Sequence, residues 1–471
     1  MSKDEFVYVT ERDEYCLFVD HLESFEELAG DSETYTLPQY RHLKGASALD
    51  PHTGRISVLT LQGRDDVPIV FDILLLERNG YNPQLMHDLL VSRKKLIFHN
   101  AQFDGKFLKR HYGIVPSNLW CTRLMAKLIT NATGSKYGKL CGHTLADLCR
   151  DYLGINLVGK GAEQTTDWYA RPDFTNRESE GYKYWVFDKL KYAANDVKYL
   201  FDLHDLFLKV ICDPLPYSPI LADGVEGSHG LGMSAILPLE MKMAVVAAEM
   251  EYNGLPASRE IFDQIQKSIQ DPSTGEGALT TVASKLCVKF GLDTEPSFWG
   301  DTKLPTQRSY KALNNPQILK ELINKQVGLE LDNSQTQVLE RFIDLTEEIA
   351  KEGATEFVDQ DEEELYRQIL DYSECEAVQA SELAKLVIEY KQLRKLYSMD
   401  LRSHINPLTG CIHSRLDVLG AATGRSSSSG PNLQNVSART YVEIEREREK
   451  LFPSSANYES LIPDWVPPCK A

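Results

Sequence analysis

An apolar run that stops at two polar residues and turns into a helix leaves a chain few folds to choose from. Leu96-Ile97-Phe98-His99-Asn100-Ala101-Gln102-Phe103-Asp104 is such a run. It reads as a short buried strand over Leu96 to Phe98 that becomes a helix near Phe103. Asp104 then falls in the first helical turn, where free N–H groups and the helix dipole favour a carboxylate. A lone acid at that place is ordinarily a helix-start residue. Two further clusters change its meaning: Asp31-Ser32-Glu33 upstream and Tyr192-Ala193-Ala194-Asn195-Asp196 downstream. At an extended strand end Asp31 and Glu33 point to one side and can face one cation while Ser32 faces away. Tyr192 and Asp196, at i and i+4, are neighbours on one helical face. Taken together, the three clusters can assemble a carboxylate cage.

The 471 residues are enough for two or three domains with cores of their own. No apolar run approaches the ~20 residues that span a bilayer, so no membrane partner is expected. Met1-Ser2-Lys3-Asp4-Glu5 does not open a signal peptide. The nine cysteines contain no C-x-x-C pair or zinc spacing, and they read as reduced thiols of a cytoplasmic compartment. A net charge of −18 argues against nucleic acid binding over the bulk surface but leaves room for a local basic groove.

Along the chain, Cys16 to Leu22 is helix-like, while Arg55 to Leu61 and Ile69 to Ile73 read as strands. Helical patterns dominate from Tyr112 to Gly159. Lys160 to Trp168 is loop-like, with Trp168 open to two readings, a core residue or a base-stacking platform. The Pro- and Gly-bearing stretch 213–236 reads as a linker. A long amphipathic helix follows from Leu239 to Met250, and helix-rich sequence continues to about Leu401, interrupted by loops near Gly275 and Ser297 to Gly300. Asp359 to Glu364 is an acid run, read as solvated. Lys385, Lys391, Arg394 and Lys395 then place basic residues at helical spacing, either along phosphates or on a solvated face. Cys411 to Leu416 alternates as a strand. By composition Ala421 to Asn435 is a Gly/Ser linker, yet its Arg, amides and hydroxyls are the groups that contact a nucleic acid backbone and minor groove.

These residues resemble the family A DNA polymerases from about residue 28 to 435. Asp31-x-Glu33, His99-Asn100-x-x-Phe103-Asp104 and Tyr192-x-x-x-Asp196 resemble, in order, the three motifs of the DnaQ-like 3′→5′ proofreading exonuclease. Lys160-x-x-x-Gln164-x-x-Asp167-Trp168 resembles the loop before the third motif. Leu237 to Met241 with Glu249 to Gly254 resembles the start of the polymerase domain, and Leu313 to Gln317 with Glu389 to Ser398 resembles the thumb. Thr423-Gly424-Arg425-x-Ser427-Ser428 followed by Pro431-Asn432-Leu433-Gln434-Asn435 is the most specific match. Two departures stand out. Leu28-Ala29-Gly30 lacks the usual β-branched run, which makes the first exonuclease strand weak, and no match occurs to the D-Y-S-x-x-E, R-x-x-x-K-x-x-x-F/Y-G or H-D-E motifs of palm and fingers.

The resemblance implies an α/β, RNase H-like exonuclease domain over 1–212, a helical polymerase start and thumb over 237–400, the first part of an α+β palm over 401–435, and a C-terminal tail over 436–471. It implies two divalent ions, Mg²⁺ or Mn²⁺, held by Asp31, Glu33, Asp104 and Asp196, with Tyr192 and Glu33 orienting the attacking water. Leu37, Asn100 and Phe103, with Trp168 beside them, would hold a single-stranded 3′ end. Lys391, Arg394, Lys395, Thr423, Arg425, Asn432, Gln434 and Asn435 would meet a primer–template duplex. The expected function is proofreading in DNA replication or repair within a bacterial or phage-infected cytoplasm. In that setting a second polypeptide would carry the palm and fingers. The alternatives are a stand-alone exonuclease and a non-catalytic DNA-binding or assembly subunit.

Overall fold

A computed structural model describes residues 6–43, 45–92, 94–131, 142–157, 167–212, 229–270, 277–290, 316–328, 331, 335–352, 374–398, 400–421 and 423–435. They fall into two compact units, one drawn from residues 6–257 with 406–435 and the other from residues 258–405. The segments 160–166, 213–228, 271–276, 297–300, 313–315, 359–364 and 436–471 of the sequence reading lie outside the described residues.

The first unit is built on a six-stranded mixed sheet of β1 (Val7–Val9), β2 (Glu27–Thr36), β3 (Gly54–Gly63), β4 (Ile69–Asp72), β5 (Lys95–Phe98) and β6 (Leu119–Cys121). Their spatial order is β1-β4-β3-β2-β5-β6. The β2–β3 and β3–β4 pairs are antiparallel, and the β1–β4, β2–β5 and β5–β6 pairs are parallel. Parallel neighbours need helical crossovers, and helices Ala101–Tyr112 and Thr122–Asn131 follow β5 and β6. Val58, Leu59, Phe71, Ile97 and Phe98 are fully buried, so the sheet is the centre of the core.

The strand that looked weakest is one of the two longest. β2 runs ten residues and is paired on both sides, with β3 and with β5. Its unbranched residue is there for space: a Cβ on Gly30 would overlap the ring of Phe98 and lie 3.0 Å from Leu61. The short β1 and β6 carry too little periodicity to stand out in the sequence, and β6 falls in a stretch that reads as helical. Tyr184–Leu190 is a π-helical stretch that leads into helix Lys191–Lys198, which carries Tyr192 and Asp196.

Two elements differ from expectation. Helix His229–Asn253 begins inside the stretch read as a linker and continues through Pro238. It ends at Gly254, whose φ of 69° suits the left-handed stop and whose N–H donates to Met250 O at 2.9 Å. Cys411 to Leu416 is two short strands and not one. Cys411–Ile412 pairs with Leu255–Pro256, and Arg415–Asp417 pairs with Ser427–Ser429. The break comes at His413 and Ser414, whose side chains are drawn to Glu251 O at 2.9 Å and Ser428 Oγ at 2.6 Å. The Gly/Ser segment is therefore an ordered hairpin strand.

The second unit is helical. Arg259–Ile269, Ala278–Phe290, Pro316–Val327, Thr336–Glu352 and Glu374–Ser398 contribute to a core that includes Leu286, Leu319, Leu339, Phe342, Leu383, Val387 and Tyr390. Among the described residues no helix is long and apolar enough to cross a membrane.

Gly30→Ala forces Phe98 out of its packed position. We expect a loss of about 1–3 kcal/mol of stability in a denaturant titration, as for other overpacked cores; an unchanged midpoint would contradict this account.

Candidate active site

Three elements bring the acids together. Asp31 and Glu33 lie on β2 opposite Thr60 and Val58 of β3, with a register shift immediately after Glu33. Asp196 comes from helix Lys191–Lys198. Carboxylate oxygens of Asp31, Glu33 and Asp196 all lie within 4.8 Å of one another. Like charges at that separation repel, and hard, all-oxygen donor sets of this kind suit a divalent cation. The residues present therefore fit a metal site.

Asp104 stands beside this trio in a different role. Helix Ala101–Tyr112 starts from Asn100, which takes the left-handed conformation with φ 61°, and carries Asp104 in its first turn. The carboxylate is 1% exposed, and its Oδ1 accepts the backbone N–H of Ser32 at 3.0 Å and the Ser32 hydroxyl at 2.6 Å. Ser32 thus does not simply face away, as strand alternation suggests; it ties β2 to the helix and holds Asp104. Burial pushes the Asp104 carboxyl up to about 7; the two Ser32 hydrogen bonds oppose the rise and the Asp196 charge adds to it.

Tyr192 is 9% exposed and hydrogen-bonds through its hydroxyl to Asp196. Burial first, then the charges of Asp196, Glu33 and Asp31, push that hydroxyl far above the ordinary tyrosine range. It stays protonated at any working pH.

The wall behind Tyr192 is apolar. Leu37 is 8% exposed and shares a buried cluster with Tyr35, Trp168, Trp185 and Tyr192. Trp168 is 2% exposed, edge-on to Trp185 at 5.8 Å. The structure thus resolves its two readings as core: a ring enclosed on all sides has no face to offer a base. Phe103 is half-buried against Phe107 at 4.9 Å. Asn100 is half-buried and accepts a hydrogen bond from Arg123 at 2.9 Å.

Sequence reasoning missed the residues that clamp this wall. Asp72 is fully buried and accepts from Arg171 at 2.7 and 2.8 Å, from Tyr8 at 2.6 Å and from Leu75 N at 3.0 Å. Arg171 also donates to Trp168 O at 2.6 Å and to Ser57 Oγ at 2.8 Å. Nothing local marks this pair, because its members are 99 residues apart.

The duplex candidates lie elsewhere. Thr423, Arg425, Asn432, Gln434 and Asn435 are all exposed around the Ser427–Ser429 strand, where Gln434 Nε2 donates to Ser426 Oγ at 3.2 Å. Lys391, Arg394 and Lys395 sit on helix Glu374–Ser398 of the second unit, with Lys391 half-buried and the other two exposed.

Residues 6–211 match the family described as 3′-5′ exonuclease, and residues 307–466 match DNA polymerase family A. Two segments of the chain are thus similar to family A DNA polymerases, the exonuclease match first and the polymerase match second. The first match spans the whole six-stranded sheet, and the second runs past Asn435 into the stretch read as a tail. The DNA polymerase I of Aquifex aeolicus is 24% identical over 385 residues, 80% of this chain and 51% of the relative. That of Pseudomonas aeruginosa is 42% identical over 92 residues, 19% of this chain and 10% of the relative. The chain thus spans between a tenth and about half of the length of these relatives. Among solved structures, the POL domain of Pol1 from M. smegmatis, in complex with DNA primer-template and dNTP, has a similar fold. It aligns with a TM-score of 0.50 at 16% identity, covering 92% of this chain and 56% of that one. Exonucleases of this fold family generally use divalent metals.

The Asp104 shift has a sign. A carboxyl whose pKa is higher folded than unfolded contributes stability that is complete below the unfolded value, near ~4, and lost as pH rises through the folded value. In chelator, wild-type protein should lose melting temperature between pH ~4 and about 7 relative to Asp104→Asn, which keeps an acceptor for Ser32 but no titrating proton. Parallel pH curves for the two proteins would refute the shift.

Proposed function

We propose that the sheet unit hydrolyses single-stranded DNA from its 3′ end in a divalent-metal-dependent reaction. The observation that carries this reading is the convergence of Asp31, Glu33 and Asp196 oxygens within 4.8 Å, with Asp104 and Tyr192 alongside. Asp31, Glu33, Asp104 and Asp196 would hold two Mg²⁺ or Mn²⁺ ions. When bound, such a pair supplies a hydroxide nucleophile at neutral pH and charge stabilisation for the departing 3′ oxygen.

The chain's own residues then have separate tasks. The hydroxyl hydrogen of Tyr192 is engaged by Asp196, which leaves the oxygen's lone pairs to accept a hydrogen from the attacking water. Because this phenol stays protonated, it orients the water and does not act as a base. Glu33, on the same strand side as Asp31, accepts from the water's other hydrogen. Ser32 keeps Asp104 in place from beneath. Asn100 and Phe103 border the site and would hold the terminal nucleotide by hydrogen bonding and by tolerant stacking.

Thr423, Arg425, Asn432, Gln434 and Asn435, and Lys391, Arg394 and Lys395, would meet the primer–template duplex of a polymerase. We further propose a second polypeptide bearing palm and fingers as partner, and an exposed stripe supports it. Helix His229–Asn253 packs Leu237, Met241, Ala244 and Ala248 inward, yet Ile236, Leu239, Met243, Val246 and Met250, at alternating three- and four-residue spacing, are 36–58% exposed. A helix apolar on both faces is built to be covered on both.

Asp31→Ala or Asp104→Ala should abolish hydrolysis of a labelled single strand in Mg²⁺ or Mn²⁺, and Tyr192→Phe should lower kcat by about 10²-fold, as when a water-orienting group is lost. Full activity of Asp104→Ala, or an intact strand with wild-type protein, would refute the reading. Leu239→Glu with Met243→Glu should leave single-strand hydrolysis unchanged and block template-dependent extension by co-expressed palm and fingers. Extension by that double variant would refute the docking surface.

A further inference from the structure

Asn100 has a partner, Arg123, to which the chemistry above gives no task. Arg123, in helix Thr122–Asn131, donates from one terminal nitrogen to Asn100 Oδ1 at 2.9 Å. The two segments are tied a second time by His99 Nδ1 and Thr122 Oγ1 at 3.1 Å. A guanidinium has no acceptor, so the contact sets the amide's orientation, with its oxygen towards Arg123 and its NH₂ turned away. Asn100 stands one helical turn ahead of Asp104, at the point where β5 becomes the helix.

Arg123 differs from the charge-paired arginines of its unit in the company it keeps. Arg41, Arg55, Arg64, Arg150 and Arg171 each lie against a carboxylate. Among the described residues no carboxylate pairs with Arg123, and the remaining donors of its planar fork are unused. It is half-buried, so it is both anchored and reachable. A chain of net charge −18 with a cage of acids repels a polyanion, and affinity for a strand must come from cations that the protein has not already neutralised.

We propose that Arg123 binds a backbone phosphate of the single strand adjacent to the linkage being cleaved, and that its bond to Asn100 holds the guanidinium in place for it. The scissile phosphate itself belongs to the carboxylates. Arg123 supplies a bidentate contact to a neighbouring one, fixing the strand's register and not its sequence. This inference rests on the exonuclease reading, and its test separates the two.

The full chain is titrated in EDTA, where no cleavage occurs, against a fluorescent single strand carrying one neutral methylphosphonate at successive linkages from the 3′ end. Wild type should lose about tenfold in affinity at one linkage, the worth of one charged hydrogen-bonded contact. Arg123→Met should bind about tenfold more weakly, be indifferent to the methylphosphonate at that linkage, and show a salt slope shallower by about 0.7. Arg123→Lys should recover the salt slope, which a merely misfolded variant would not. Identical methylphosphonate profiles and salt slopes for wild type and Arg123→Met overturn the proposal. With Mg²⁺ added, a wild type that binds in this phosphate-specific way yet does not cleave overturns the exonuclease reading alone.

Discussion

Holding like charges together is the constraint on which the rest of this structure depends. Three carboxylates with oxygens inside 4.8 Å of one another, and a fourth buried at 1% exposure, would separate in any flexible setting. The protein resists this with a strand paired on both sides, β2 between β3 and β5, and with a helix anchored to that strand through Ser32 and Asp104. Each acid comes from a rigid element and not from a loop. The cost of the arrangement is written in the raised Asp104 carboxyl and Tyr192 hydroxyl, both shifted chiefly by burial.

A second buried charge pair frames the first group. Asp72 and Arg171 are 0% and 5% exposed at their side chains, and Tyr8, Ser57 and the carbonyl of Trp168 complete their hydrogen bonding. A buried pair is weak evidence for net stability, but removing one partner strands the other and is strongly destabilising. Here its consequence is geometric. It draws the backbone at Trp168 against β3 and so sets the apolar wall on which Tyr192 rests.

The helix His229–Asn253 links this domain to the sequence beyond it. Its Glu251 is 6% exposed and accepts from Gln102 at 2.7 Å, Lys106 at 2.5 Å and Leu416 N at 2.5 Å, so one carboxylate joins the Asp104 helix to the strand Arg415–Asp417. Lys127 reaches Asp417 from the Arg123 helix at 2.5 Å. The six-stranded sheet and the hairpin that carries Thr423 to Asn435 therefore belong to one compact unit.

Much of this was legible in the sequence. Alternation marked β3, apolar runs marked β4 and β5, and helical spacing put Tyr192 and Asp196 on one face, because these are local patterns of a few residues. The spacing of Asp31 and Glu33 was equally local. What tertiary structure alone decided was everything set by a partner distant in sequence. The ring of Phe98 explains Gly30, so an apparently weak strand is a central one. Asp104, 72 residues away, turns Ser32 from a strand residue facing away into the acid's holder. Arg171 makes Asp72 a buried anchor, and enclosure by its neighbours makes Trp168 core. The sequence determined which elements form and which acids they carry, since those follow from nearest neighbours along the chain. Only the folded chain decided which side chains share a space, because that depends on packing between elements whose separation no local pattern records.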